Sequence, residues 1–388
     1  MNRFNLIQSN GLVGFSYCLY LTIRHKGGIS CKLRFFKYAR MARKKGVIWF
    51  RVERVAADYT NAWYEMKDMP EKEKNWYIEH GYNPAKKYFC GVTPDNYKKY
   101  ISDFEFYKSS SYKNASSVLW FDNKLNTYYL LKPFSEFLPK HYYYANDGVM
   151  YPLDVETKCN ASSVVIVELI KQKKEIAAKK CFGGHGEGFY KLEYNGDNFI
   201  ANGKAISENE MAGLIAKLNG YIITDFVRPA KWIREMAGED AFCVMRVMTI
   251  YNEEGPHFER LMARLGSKKA GPTQAGHDFI YIGIDEEGVI FNPFYEYSDY
   301  EWKSIKCHPE TKNKIEGEKM QNMDKLKKLV TDVAGYLPTT PYLIFDIIPT
   351  DDSFFILEIN SHGQPFNFEP FHPVKESENF RKLFNLSI

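Results

Sequence analysis

No apolar run in this 388-residue chain reaches the roughly 18 residues that a membrane-spanning helix requires. Leu12 to Ile23 is too short and is broken by Gly14 and Ser16. Nor does that segment read as a secretory signal, because Arg3 is the only charge ahead of it and His25-Lys-Gly follows in place of a small-residue cleavage site. The seven cysteines are scattered and contain no C-x-x-C pair, which argues against a disulfide framework and a zinc site. A reducing, cytoplasmic location is expected. A net charge of +4 is small for this length, so the bulk electrostatics call for no nucleic acid. Repeat periods and low-complexity segments are also lacking. What remains, at 45% hydrophobic and 26% charged residues, is an ordinary globular chain long enough for two or three domains.

The stretch from Phe345 to Gly363 carries the densest chemistry. Two apolar runs, Tyr342 to Ile348 and Phe354 to Ile359, flank the turn formers Pro349-Thr-Asp-Asp-Ser353, which predicts an antiparallel hairpin. Alternation along the second strand places Glu358 and Asn360 on one face and Leu357 and Ile359 on the other. Asp346 on the first strand lies across from them. Oxygen ligands converging on one face suit a hard divalent cation such as Mg2+, the competing reading being a solvated acidic face.

Upstream, Lys32 to Lys45 predicts a basic helix, with Arg34, Lys37, Arg40 and Lys44 on one side and Leu33, Phe36 and Met41 on another. It is either a surface helix with a solvated face or a site for an anionic partner such as a membrane surface. Residues 61 to 120 predict short helices and connections. Val118 to Phe121 reads as a short strand, followed by a helix from Lys124 to Phe134 capped by Asp122 or Asn123. A lysine at a helix start gains nothing from the dipole, so Lys124 points to an anionic ligand.

Ser163 to Leu169 reads as a strand, as does Ile176 to Lys180. The latter runs into Phe182-Gly-Gly-His-Gly-Glu-Gly188 and resumes as strand from Phe189 to Tyr194. Glycines at 183, 184, 186 and 188, with Lys179 ahead of them, suit a flap whose backbone N–H groups face phosphate. Ser207 with Glu210 three residues on predicts a capped helix to Leu218, and a strand follows from Tyr221 to Val227. Arg246 is the lone charge in the strand Ala241 to Tyr251 and requires a partner, for which a bound phosphate or carboxylate is suited. Strands carrying Arg260 and Arg264 (Phe258 to Leu265) and spanning Phe279 to Ile284 follow, then a helix from Met323 to Leu337.

In this order the features resemble the ATP-grasp superfamily, and most closely its sugar-transfer-associated members, over roughly residues 95 to 370. Lys124 with its helix and Leu138-Pro139 looks like the family's entry. Lys179 with Gly183, Gly184, Gly186 and Gly188 looks like its second lysine and flap. Ile223 to Val227, containing Asp225 and Phe226, takes the place of the strand that receives adenine, and Asp346, Glu358 and Asn360 match the D…E-x-N metal set. Arg246 also matches, although Cys243 and Val244 before it, Lys180 after the second lysine and the region near Asp278 depart from the family pattern.

The resemblance implies an α+β fold in which two subdomains grip ATP between antiparallel sheets, after an N-terminal mixed region. The expected divisions are 1–120, 121–227 for the small subdomain with its flap, and 228–388 for the large one with its metal site. It implies ATP bound by Lys124, Lys179, Gly183, Gly184, Gly186, Gly188, Asp225 and Phe226, with Mg2+ on Asp346, Glu358 and Asn360. Arg246 and Arg264 would act on the transferred group. The implied reaction is carboxylate–amine ligation through an acyl phosphate, on an acid and an amine of saccharide type in surface-polysaccharide synthesis. A kinase that stops after phosphoryl transfer and a degenerate nucleotide-binding scaffold remain the alternatives. His185, His277 and His362 are further candidates, and His362, two residues past Asn360, is the first to test.

Overall fold

The computed structural model describes residues 12–114, 118–156, 159–183, 188–239, 241–266, 279–298 and 301–387. The chain divides into two compact units: one comprises the residues before 116 with 299–302 and 364–388, the other comprises 116–298 and 303–363. Residues 364–388 group with the N-terminal residues in the first unit.

That unit is helical, with α1 (Leu12–Arg24) and α2 (Ile29–Lys44) followed by helices Val52–Glu65, Glu71–Glu79 and Asp103–Lys113, and closed by Glu378–Phe384. The side of α2 that packs inward is Phe35, Tyr38, Ala39 and Ala42. Leu33, expected on the apolar side, is instead exposed. Aromatic contacts hold the bundle together, Tyr38 edge-on to Tyr59 at 6.0 Å, and tilted pairs of Tyr59 with Phe104 at 5.9 Å and Phe106 with Phe384 at 5.8 Å. Beneath them lies a buried ion cluster: Lys86 Nζ is 3.3 Å from Glu369 Oε2 and 3.4 Å from Asp103 Oδ1, and donates to the Ile101 carbonyl at 2.9 Å.

The second unit contains two sheets. The first comprises β1 (His141–Asn146), β2 (Val149–Pro152), β3 (Glu175–Lys180), β4 (Tyr190–Tyr194), β5 (Phe199–Ala201), β6 (Lys204–Ile206) and β7 (Tyr221–Asp225), ordered β2-β1-β7-β3-β4-β5-β6. Helices Val164–Lys173 and Glu208–Ala216 cover one face, burying Ile166, Val167, Ile170, Met211 and Ile215 against Ile176, Leu192 and Ile223. The second helix starts at the expected capping box of Ser207 and Glu210. The first corrects the reading of Ser163 to Leu169 as a strand. Its β-branched run favours a strand locally, yet burial of residues 166, 167 and 170 with Val164, Glu168 and Gln172 exposed follows a helical period.

The second sheet comprises β8 (Cys243–Asn252), β9 (Gly255–Gly266), β10 (Phe279–Ile284), β11 (Ile290–Ser298), β12 (Glu301–Ser304, of which only 303–304 fall in this unit), β13 (Tyr342–Pro349) and β14 (Phe354–Asn360), ordered β12-β11-β10-β9-β8-β13-β14. Its apolar face, with Met245, Val247, Leu261, Ala263, Phe345 and Ile347, packs with Leu326, Leu329, Val330 and Val333 of the helix Met323–Tyr336. Val118–Phe121 is helical and not a strand, and Phe121 joins this core; four apolar residues are too few to show a period. α3 (Lys124–Leu130) ends earlier than expected, giving way to a 3-10 segment at Lys132–Phe137 where Pro133 supplies no N–H for α-helical bonding.

Candidate active site

The position of the acidic residues depends on an irregularity in the hairpin. β13 and β14 pair Ile347 with Ile356 but Asp346 with Glu358, leaving Leu357 as one extra residue on β14. This bulge reverses the alternation. Phe354 and Ile356 face the core before it, Ile359 faces the core after it, and Glu358 and Asn360 are turned to the opposite face beside Asp346. Without the extra residue Glu358 would point into the apolar layer. Leu357, expected on the core face, is only half-buried.

On the other side of β13, Asp346 is paired in register with Arg246 of β8. Arg246 Nη2 donates to Asp346 Oδ2 at 3.2 Å, and Nε lies 3.0 Å from Oδ1. The charge that demanded a partner in the sequence therefore finds it in the protein itself. A row of Arg246, Asp346 and Glu358 crosses three adjacent strands on one face.

Lys124 enters this row from the start of α3, where Asn123 caps the helix by accepting from the Leu125 N–H at 2.9 Å. Its own N–H donates to the Cys181 carbonyl at 3.0 Å, which fixes the helix start against the end of β3. Lys124 Nζ then donates to Glu358 Oε1 at 3.3 Å and to the Gly183 carbonyl at 3.0 Å. One lysine thus joins the base of the glycine-rich loop to the acidic row.

Lys179 on β3 senses the same groups. Burial, then the neighbouring Lys124 ammonium, pushes its pKa down to about 8, with Glu358 opposing the change. Burial also holds the Glu358 carboxyl above its ordinary value, Lys124 pulling it down and Asp346 pushing it up. A lysine with a depressed pKa beside another lysine is a site prepared for added negative charge.

Gly183 and Gly188 bound the loop, with φ of 126° and 70°. A Cβ at Gly188 would stand 2.7 Å from the Tyr221 hydroxyl, so both conformation and space require glycine there. Gly184, His185 and Gly186 lie outside the described residues, as do His277 and Asp278. Asp225 ends β7, its carboxylate accepting from the Tyr142 hydroxyl at 2.5 Å, and Phe226 lies under Lys191 Nζ at 4.7 Å. His362 Nδ1 is 3.9 Å from Asp122 Oδ1.

Arg264 on β9 opposes Val244 and so lies one step diagonally from Arg246. Its guanidinium is stacked over Phe279 at 4.1 Å and near Tyr281 at 5.6 Å, and its Nε is buried without a hydrogen-bond partner. Tyr281, which the sequence reading did not single out, donates to Glu296 Oε2 at 3.1 Å on this same face. Its position between Ile280 and Ile282 in β10, opposite Arg264, is the signal that would have found it.

The donor set fits a hard cation. Asp346 Oδ1 and the Asn360 amide nitrogen are both buried without a hydrogen-bond partner, and turning the Asn360 amide over presents its oxygen at that position. Among the described residues no group of three His, Cys, Asp or Glu side chains is placed to hold a metal ion. A cation here would rest on two carboxylates and one amide and leave positions for phosphate and water, which is the habit of Mg2+.

The sequence matches, over residues 105–371, the model of a family described as sugar-transfer associated ATP-grasp. It has similarity of fold to D-alanyl-alanine synthetase A from Vibrio cholerae (12% identity, 70% of this chain and 66% of that one, TM-score 0.38). The ATP-grasp ligase PsnB complexed with a minimal precursor matches at 12% identity over 71% of this chain and 61% of that one, TM-score 0.36. N5-carboxyaminoimidazole synthase from Aspergillus clavatus, in complex with ADP and 5-aminoimidazole ribonucleotide, matches at 8% identity over 70% and 54%, TM-score 0.33. The chain spans about half to two thirds of the length of these structures. No curated protein matches the sequence. The family model covers more than half of the chain, and the chain belongs to the sugar-transfer associated ATP-grasp family.

Proposed function

We propose that the protein is an ATP- and Mg2+-dependent ligase that joins a carboxylate to an amine through an acyl phosphate, acting on a saccharide or its precursor in surface-polysaccharide synthesis. The observation that carries this reading is the contact of Lys124 with both Glu358 and the Gly183 carbonyl, beside the Arg246–Asp346 pair. It gathers cations, carboxylates and the loop base on one sheet face, as triphosphate binding requires.

In this reading Lys124, Lys179, Arg246 and Arg264 stand against Asp346 and Glu358, an excess of positive charge that suits a triphosphate. Lys124 and Lys179 hold phosphate oxygens, Gly183, Gly184, Gly186 and Gly188 are assigned to phosphate binding, and adenine lies along the strand end at Asp225 and Phe226. Asp346, Glu358 and Asn360 would hold Mg2+, which supplies charge neutralisation on the phosphates. Arg246 is engaged with Asp346 and orients that carboxylate. Arg264, whose Nε has no hydrogen-bond partner, is the arginine that receives the substrate carboxylate. The substrate oxygen attacks the γ-phosphorus, ADP leaves, and the amine then displaces phosphate from the acyl carbon. A cytoplasmic location, where ATP is available, is part of the proposal; no described helix is long and apolar enough to cross a membrane.

The test is trapping. With ATP, Mg2+ and candidate uronic or amino acids, hydroxylamine in place of the amine intercepts an acyl phosphate as a hydroxamate, with ADP and phosphate released together. A stable phosphorylated product without hydroxamate would move the protein to the kinase alternative, and binding of ATP with no turnover on any acid would favour the scaffold.

A further inference from the structure

Charge along this chain is strongly asymmetric. Residues 1–52 contain eleven Lys and Arg and not one Asp or Glu, while the rest carries 41 against 48. The small net charge of the whole therefore conceals a cationic N-terminal segment on a chain that is otherwise net negative.

Much of that segment is the helical hairpin α1–α2. The two helices run antiparallel about Gly27-Gly28, with Phe15 edge-on to Phe36 at 5.4 Å near the open end and Lys32 Nζ donating to the Ile23 carbonyl at 3.0 Å near the turn. α2 turns Phe35, Tyr38, Ala39 and Ala42 inward. The opposite side leaves large apolar groups in water. Phe15, Leu19 and Ile23 follow one another at single-turn spacing on α1, and Ile29 and Leu33 continue the strip on α2, with Ile23, Ile29 and Leu33 exposed at 65%, 82% and 66%. Exposed cations border the strip: Arg24 and Lys26 at the turn, and Lys37, Arg40 and Lys44 along α2. Arg40 lies over the Phe15 ring at 5.3 Å, so charge and apolar surface are contiguous.

We propose that this face docks the protein on an anionic lipid bilayer, the apolar strip entering the headgroup boundary and the cations meeting lipid phosphates. Over their described 13 and 16 residues the helices are shorter than a bilayer span and suit a position in the plane of its surface. Charge complementarity selects the occupant. A nucleic acid would engage the cations but leave Ile23, Ile29 and Leu33 in water. A second copy of the chain, joined about a two-fold axis, would set two cationic surfaces face to face. A lipid surface satisfies both features at once, and its attraction must weaken with salt.

The experiment is flotation of the full chain with vesicles of phosphatidylcholine alone and of phosphatidylcholine mixed with phosphatidylglycerol, at low and high salt. Two variants accompany it: Ile23→Ser with Ile29→Ser and Leu33→Ser, which keeps every cation, and Lys37→Glu with Arg40→Glu and Lys44→Glu, which keeps the apolar strip. All six positions are solvent-facing or lie outside the nucleotide site, so circular dichroism and binding of a non-hydrolysable ATP analogue are expected to be unchanged. The wild type floats with the mixed vesicles at low salt, less at high salt, and not with phosphatidylcholine alone; each variant loses binding by about tenfold or more. Full retention by the serine variant would reduce the effect to unspecific charge and overturn the proposal. So would wild-type failure to float at low salt, or a solution dimer that the serine variant dissolves, which would assign the face to self-association. Lipid binding needs no ATP, so this result stands or falls apart from the ligase reading.

Discussion

Arg246 and Asp346 face each other in register on adjacent strands, joined by one hydrogen bond of 3.2 Å and an ion-pair approach of 3.0 Å, and Glu358 continues the row on the next strand. The two carboxylates therefore differ in what else they do. Asp346 is nearly fully buried and balances an arginine, whereas Glu358 keeps 27% of its side chain exposed and contacts Lys124. Asp346→Asn is expected to lose roughly 3 kcal/mol of stability by leaving Arg246 without a counter-charge, and Glu358→Gln about 1 kcal/mol or less. Both should lower Mg2+-dependent ADP release by roughly a hundredfold. Thermal unfolding and an ADP assay read together check this; unchanged turnover in both variants would remove the metal assignment.

Lys179 carries a pH signature. Its folded pKa, pushed down to about 8, lies below its ordinary value of 10.5. Between these values the unfolded chain holds a proton that the folded chain has released, so this group makes stability rise with pH across that window. Bound phosphate favours the ammonium form, so nucleotide binding near pH 8 should take up a proton and weaken as pH rises further. Calorimetry of a non-hydrolysable ATP analogue in two buffers of different ionisation heat measures the uptake, and Lys179→Gln should abolish it. Lys179→Ala should weaken binding by about ten- to a hundredfold, and Lys180→Ala, whose side chain leaves β3 on the other face, by much less. Equal losses would show that the strand register of the site is wrong.

In the helical unit, Lys86 and Glu369 are a buried pair from distant parts of the chain. Lys86→Met leaves Glu369 charged and buried and is expected to destabilise by about 3–5 kcal/mol. Adding Glu369→Leu should recover part of that loss, because an apolar pair of similar volume removes the stranded charge. Denaturant titration of the two single variants and the double variant measures the coupling. A double variant as unstable as the two losses combined would mean the ion pair is not what joins residues 364–387 to this unit.

The parts of the fold that were legible in the sequence are those where one period or one cap dominates. The hairpin of Asp346 and Glu358 showed itself through two apolar runs around Pro349-Thr-Asp-Asp-Ser353, and the helix after Ser207 through its capping box. Ser163 to Leu169 misled because a run of β-branched residues imitates a strand, while the helical burial of Ile166, Val167 and Ile170 depends on tertiary packing against Leu192 and Ile223. The site was legible in composition but less so in geometry. Alternation put Glu358 on the correct side of Ile359, but nothing in the letters marks the bulge at Leu357 that puts it there. Arg246 announced that it needed a partner, and only strand order shows that Asp346 is that partner. Tyr281 and Glu296 lie on consecutive, mutually paired strands, but neither belongs to a motif that marks it in the letters; their contact appears only once the register of β10 and β11 is known.

The most direct test of the account is binding of a non-hydrolysable ATP analogue with and without Mg2+, in the wild type and in Glu358→Gln. The face built by Lys124, Lys179, Asp346, Glu358 and Asn360 predicts that Mg2+ tightens binding by about tenfold or more in the wild type and that this Mg2+ dependence is lost in the variant, whose helix content stays unchanged. Equal affinity with and without Mg2+ in the wild type, or full Mg2+ dependence retained in Glu358→Gln, would contradict it.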